Sequence, residues 1–187
     1  LKTLKTVESE IMARLADAAS NRRSDMHTPA VVTQADARIM VLRDWQPDEW
    51  RLRFHTDIRA PKVAEIGEGS PMGVLFYDRE AGVQIRCRGT GRIVSKGELV
   101  DAAWNASDAY ARRCYLGQAP GTASDEPNSG LPDWIEGKRP DEAQLAQARV
   151  NFAVLLVTVK EIDWYHLAHD RHRRALFTRA GARWLTP

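Results

Sequence analysis

The sequence predicts an antiparallel sheet with flanking helices, curled into a small closed or split barrel. Three observations carry that expectation. Short β-branched or alternating runs follow one another over residues 30–94 and again over 152–187, mostly with brief turns between them. Helical periodicity is confined to an N-terminal stretch and a few connections. No βαβα alternation occurs, which disfavours a parallel doubly wound sheet. The chain has 187 residues, 43% hydrophobic and 28% charged, enough for a globular domain with a core.

Taken in order, residues 4–20 read as an amphipathic helix, because Leu4, Val7, Ile11, Leu15 and Ala18 recur at spacings of three and four. Pro29 stops any continuation. "AVVTQAD", "RIMVLRDW" and "EWRLRFHT" are the first strand-like runs. In the third, Leu52, Phe54 and Thr56 face one side and Arg51, Arg53 and His55 the other. "QPDE" makes the second and third a hairpin. "APKVAEIGEG" is a short helix with Pro61 in its first turn. "PMGVLFYD" and "VQIRCRGTGRIV" are strands around "REAG", and Val83, Ile85 and Cys87 alternate with Gln84, Arg86 and Arg88.

Residues 98–117 read as helix and 118–140 as a long loop, with Trp134 the candidate to pin it to the body or to a partner subunit. "DEAQLAQARVN" is a further short helix. "FAVLLVTVKEIDWYHL" opens as an apolar run suited to a strand buried on both faces. A final hairpin, "RRALFTR" and "ARWLTP", brings the count to six or seven strands.

Several function classes are disfavoured at once. No run approaches the ~18 apolar residues of a membrane span, and "LKTLKTVESE" lacks the apolar core of a signal peptide. Cys87 and Cys114 are the two cysteines and form no CxxC, so a reducing cytoplasm is the expected compartment. A net charge of +2 and a pI near 8.7 are too mild to argue for nucleic acid. On charge alone, "RHRR" reads as a solvated hairpin. No GxGxxG, Walker loop, GxSxG or HExxH is present. His166, His169 and His172 fall on strand and turn, where that spacing need not share a face, so no metal is expected. What stands out is cationic: Arg38 with Arg43, Arg59 with Lys62, and Arg171 with Arg173 and Arg174. If the strands close, these can converge on one phosphate or carboxylate.

Ordered motifs over residues 28–96 and 150–187 resemble the pyridoxamine 5'-phosphate oxidase-like flavoproteins, the FMN-binding split barrels. "RIMVLR" resembles the strand that runs along the flavin, which implies Arg38, Met40, Val41, Leu42 and Arg43 as cofactor residues. "FHTDIRAPK" resembles the segment that holds the FMN phosphate. Phe54, Thr56 and Lys62 match it, His55 replaces a tyrosine, Pro61 an arginine, and Arg59 is the candidate for the missing charge. "VQIRCRG" resembles the strand whose glutamine meets the ring edge, here Gln84. "WYHLAHDRHRRALFTR" resembles the closing motif and implies Trp164 and Arg174 at the flavin and His172 at the substrate.

Asp170 stands where the family has its substrate arginine, and residues 110–117 depart from the oxidase pattern, leaving Arg113 and Tyr115 as looser substrate candidates. The resemblance therefore implies an FMN-binding branch other than the vitamin B6 enzyme. Its fold is an antiparallel Greek-key split β-barrel. A single domain would span 1–187, with an N-terminal helix in 1–24, a helical and loop insertion over 98–150 and closing strands over 151–187. The implied activity is FMN-dependent oxidation or reduction of a small substrate at flavin N5, in a homodimer with FMN at the interface. Alternatives are flavin or haem binding without turnover, and a deazaflavin-dependent reductase. Nucleic acid and membrane are not expected partners.

Overall fold

The computed structural model describes residues 2–34, 36–169 and 171–187. Helix α1 (Leu4–Ser20) starts at a capping box, where Thr3 Oγ1 accepts from the Thr6 N–H and the Thr6 hydroxyl oxygen accepts from the Thr3 N–H. Its apolar stripe, Val7, Ile11, Leu15 and Ala18, is completely buried. Each of the three larger side chains contributes roughly 1.5–3 kcal/mol by leaving water.

Nine strands are present among the described residues: β1 (Ala30–Thr33), β2 (Asp36–Ile39), β3 (Leu42–Gln46), β4 (Arg51–Asp57), β5 (Ser70–Asp78), β6 (Val83–Val94), β7 (Phe152–His166), β8 (Arg173–Thr178) and β9 (Gly181–Leu185). They pair in the order β2-β1-β5-β6-β7-β4-β3, with β8 on β7 and β9 on β8. The registered pairs are antiparallel. Short helices connect the strands: α2 (Pro61–Ile66), α3 (Glu98–Asn105), α4 (Ala109–Arg112) and α5 (Glu142–Ala146).

The alternations expected from sequence are the observed ones. Leu52, Phe54 and Thr56 are buried in β4, and Val83, Ile85 and Cys87 in β6. In β7 the six residues from Phe152 to Val157 are all buried, as a strand covered on both faces requires. Gly89 in β6 has a steric reason. A Cβ there would lie 2.0 Å from the Thr158 carbonyl oxygen of β7, so no side chain fits.

Three local expectations are corrected. "RIMVLRDW" is two strands, because the Met40 N–H bonds to the Pro29 carbonyl at 3.1 Å and the ladder breaks at Met40 and Val41. Residues 98–117 are α3, α4 and a 3-10 turn, interrupted where Asp108 caps the Tyr110 N–H. Within the chain, Trp134 is 45% exposed and its neighbour Ile135 is the buried residue of this part of the loop, so the body-packing half of that expectation falls to Ile135.

The chain forms two compact units. One comprises Leu1–Phe54, Glu68–Arg92 and Leu156–Pro187, and holds α1, β1–β3, β5, β8 and β9. The other comprises His55–Gly67 and Ile93–Leu155, and holds α2–α5 and the long loop. The core of the second is aromatic, with Trp104, Tyr115 and Phe152 ring centroids 5.2–5.9 Å apart and His55 edge-on to Phe152 at 4.9 Å.

Candidate functional site

In the unit that contains 55–67, the end of β4 leads through a tight turn into α2. Thr56 is buried, and its hydroxyl donates to the Asp57 carbonyl at 3.3 Å. Asp57 organises the turn. Its Oδ1 accepts from the Arg59 backbone N–H at 2.8 Å, the Asx-turn pattern expected of Asp two residues ahead of its donor. The same carboxylate takes Arg59 Nε at 2.9 Å and an Nη at 2.6 Å, a fork-to-fork pair. A third donor of Arg59 reaches the Gly117 carbonyl at 3.1 Å. Asp57 holds the Arg59 guanidinium charged, its pKa raised above the ordinary arginine value. Arg59 is thus fixed in place with its charge balanced. Lys62 follows in the first turn of α2, half-buried.

The weaker substrate candidates lie in this unit too. Arg113 stacks over the Tyr110 ring at 4.0 Å and donates to the Lys138 carbonyl. Tyr115 is buried in the aromatic core, which makes its ring a packing element. The neighbouring Arg112 is buried against Trp104 and forms a bidentate pair with Glu142 at 2.6 and 3.0 Å.

In the other unit, Arg38 lies on β2 paired with Asp36, and Met40 and Val41 form the break before β3. Leu42 is fully buried opposite Phe54. Arg43 occupies a register shift between Leu42 and Asp44, a bulge that re-aims a side chain. Its Nε is buried without a hydrogen-bond partner among the described residues. Gln84 is half-buried on β6 opposite Tyr77. Trp164 is completely buried on β7, with Lys2 5.0 Å from its ring centroid and an indole N–H that finds no acceptor among the described residues. His172 is exposed, 5.9 Å from the Tyr165 ring. Asp170 lies outside the described residues.

The structure joins Arg174 to a residue that the sequence reading passed over. Asp163, fully buried on β7, accepts from Arg174 Nε and Nη2 at 3.1 and 2.8 Å and from Arg86 Nη2 at 2.7 Å. Arg88 lies 3.9 Å away and bonds Glu161 at 2.9 Å. Asp163 holds Arg174 charged, its pKa raised. The available signal was the pair of carboxylates Glu161 and Asp163 at alternate positions of β7, beside the alternate arginines Arg86 and Arg88 of β6. Asp57, likewise missed as a partner, was legible as Asp-x-Arg.

The donor set fits an acceptor-rich ligand. Buried N–H groups need acceptors, and Arg43 Nε, Arg86 Nε and Trp164 Nε1 have none among the described residues. A flavin ring edge offers carbonyl oxygens and ring nitrogens, and its phosphate takes cations.

Comparison with known proteins covers Arg43 and Arg86 of this set, while Trp164 lies beyond the matched residues. Residues 6–95 match a family model described as "Pyridoxamine 5'-phosphate oxidase, FMN-binding domain". No match is found among curated protein sequences. Among solved structures, a pyridoxamine 5'-phosphate oxidase-related, FMN-binding protein of Nostoc punctiforme is 19% identical, with a TM-score of 0.70 over 96% of each chain. PhzG of Burkholderia lata, solved with tetrahydrophenazine-1-carboxylic acid, is 20% identical, with a TM-score of 0.66 over 96% of this chain and 91% of that one. A general stress family protein of Xanthomonas campestris is 12% identical, with a TM-score of 0.55 over 90% and 92%. At these identities the structural likeness is one of fold, a mainly antiparallel split barrel with flanking helices.

Proposed function

From the match of residues 6–95 to an FMN-binding domain of the pyridoxamine 5'-phosphate oxidase type, we propose that the protein is an FMN-dependent oxidoreductase acting on a small substrate. The family match carries the proposal, and the buried donors without acceptors support it. FMN supplies hydride transfer at N5 when bound, so the chain need only hold, orient and tune.

Thr56 and Lys62 would hold the phosphate. Arg59 would support them with its remaining N–H donors, the others being committed to Asp57 and Gly117. Arg38 and Arg43, the backbone of Met40, Val41 and Leu42, and Gln84 would meet the ring system. His55, Trp164 and Arg174 complete the cofactor set. A cation or donor near the reduced ring raises its potential, the role that suits Arg174. His172, and more weakly Arg113 and Tyr115, are the substrate candidates. A homodimer with FMN at its interface is part of this reading.

An absorption spectrum of the purified protein is the first test, with flavin bands expected either as isolated or after adding FMN. A protein that stays colourless overturns the proposal. Substitution of both Arg59 and Lys62 by alanine is expected to abolish flavin retention on gel filtration; flavin that stays bound sinks the phosphate assignment. Reduction of bound flavin by a pyridine nucleotide or pyridoxamine phosphate supports turnover. Tight binding without reduction by either favours a flavin-binding protein that does not turn over.

A further inference from the structure

The proposed function gives no task to Asp163, yet among the described residues it is the most enclosed acid, with none of its surface exposed. A carboxylate is kept in such a place only where it is paired and hydrogen-bonded. Two strands supply the partners. Arg174 of β8 donates Nε to Oδ1 at 3.1 Å and Nη2 to Oδ2 at 2.8 Å, and Arg86 of β6 donates Nη2 to Oδ2 at 2.7 Å.

Register puts these groups on one face. Leu176 lies opposite Asp163, and Arg174 lies opposite Tyr165, so Arg174 is the diagonal neighbour of Asp163 across β7 and β8. Arg86 belongs to the row of β6 that also carries Gln84, the row opposite to buried Val83, Ile85 and Cys87. Asp163 thus lies under the face that presents Gln84 and Arg174, both given to the flavin above.

The bonding pattern fixes how Arg174 is held. The carboxylate takes Nε and Nη2, one side of the planar guanidinium, and Nη1 on the other side has no bond among the described residues. Arg88 is matched by Glu161 at 2.9 Å, so two guanidiniums share Asp163 and one positive charge is left over. Arg86 and Arg174 are 37% and 27% exposed, and without an anion between them their like charges would part into solvent. We infer that Asp163 is a positioning residue of the cofactor site, holding Arg174 by one side so that its Nη1 and the surplus charge face the flavin. The inference rests on the FMN reading. Asp163 acts only through Arg174.

A positive charge beside the ring favours reduced, anionic flavin over oxidised flavin, so an Arg174 that swings away lowers the midpoint potential. The potential of the flavin-loaded chain, measured by equilibration with a redox dye, is therefore the readout. Asp163→Asn is expected to change the ratio of reduced- to oxidised-flavin affinity about tenfold, a fall of about 30 mV for a two-electron couple. Arg174→Gln should lower it equally, and the double variant should fall no further, since both changes remove one interaction. Arg174→Lys keeps the charge but cannot make the two-pronged bond, and is expected to behave like Arg174→Gln. That variant alters a partly exposed side chain, so it decides the matter even where Asp163→Asn does not fold.

A lower urea midpoint with an unchanged potential in Asp163→Asn would show a structural role alone and overturn the inference. A potential that rises would overturn it too, because the carboxylate would then be offsetting the charge of Arg174 and not orienting it. Additive effects of Asp163→Asn and Arg174→Gln, or a wild-type potential in Arg174→Lys, count equally against it. A wild type that takes up no FMN sinks the functional proposal and this inference with it. Flavin bound at the wild-type potential in every variant sinks this inference and leaves the functional proposal standing.

Discussion

Single residues decide how much charge a candidate site has to spend. Arg59 looks like a free cation in the string "FHTDIRAPK", yet Asp57 takes its fork and an N–H of its backbone. Asp163 does the same for Arg86 and Arg174 from a fully buried position. Removing a buried acceptor's charge costs most when its partners cannot reach water. Arg86 and Arg174 keep 37% and 27% of their side chains exposed, so they can turn outward. Asp163→Asn is accordingly expected to lose about 1–3 kcal/mol, read as a lower urea midpoint at unchanged slope.

The cysteines differ as sharply: burial pushes the Cys87 thiol up to about 12, while Cys114 is exposed. A disulfide reagent near about pH 8 should therefore label Cys114 in the native protein and Cys87 only after unfolding.

At the scale of elements, periodicity made most of the fold legible. Helix α1 follows its three-four spacing residue for residue, and β4, β6 and β7 show the expected alternation or continuous burial. Ile11→Ala should cost about 2–5 kcal/mol in thermal or urea unfolding, because the side chain is wholly enclosed. Gly89→Ala is expected to be at least as damaging as an overpacked core position, about 1–3 kcal/mol or more. The atom it would strike is backbone, which no side-chain rotation relieves. The break inside "RIMVLRDW" was not legible, since its residues suit a strand throughout. A backbone bond from Met40 to Pro29, 11 positions earlier, interrupts it. In the long loop it is Ile135, and not the larger Trp134, that the chain itself buries.

At the scale of the whole molecule, strand order explains the curl. β2 and β3 lie at opposite ends of the pairing path, yet only Met40 and Val41 separate them in sequence. A flat sheet of seven strands, at ~4.8 Å per neighbour, would hold those ends far beyond the reach of two residues, so the path has to bend round.

Helix α1 is tied to β5 by Arg14, which bonds Glu10 at 3.0 Å and Asp78 at 2.5 Å. The Asp78 carboxyl is held below its ordinary range, first by the Ala81 backbone N–H and then by Arg14. A depressed carboxylate stabilises fully above its unfolded value, around 4, and loses that contribution as pH falls through the folded value. Arg14→Met should thus lower the urea midpoint near neutrality, by about 0.5–1 kcal/mol, and the difference from wild type should shrink below about pH 4. The proposed homodimer is checked by light scattering of the flavin-loaded protein, with a mass of one chain as the contrary result.

The sequence by itself determined the fold class, the amphipathic helix, the hairpins and the FMN-binding resemblance. Each depends on local period, turn chemistry or ordered motif spacing, which a one-dimensional string carries in full. Only the tertiary structure decided which cations stay uncommitted. Asp163 meets Arg86 across 77 positions, and Gly117 meets Arg59 across 58. Such pairings are set by strand register and chain return, so "FHTDIRAPK" and "RHRR" could be read as cationic but not as balanced or free. In the folded chain Arg59 is paired with Asp57 and Arg174 shares Asp163 with Arg86, while the side chains of Arg171 and Arg173 are left without a partner among the described residues.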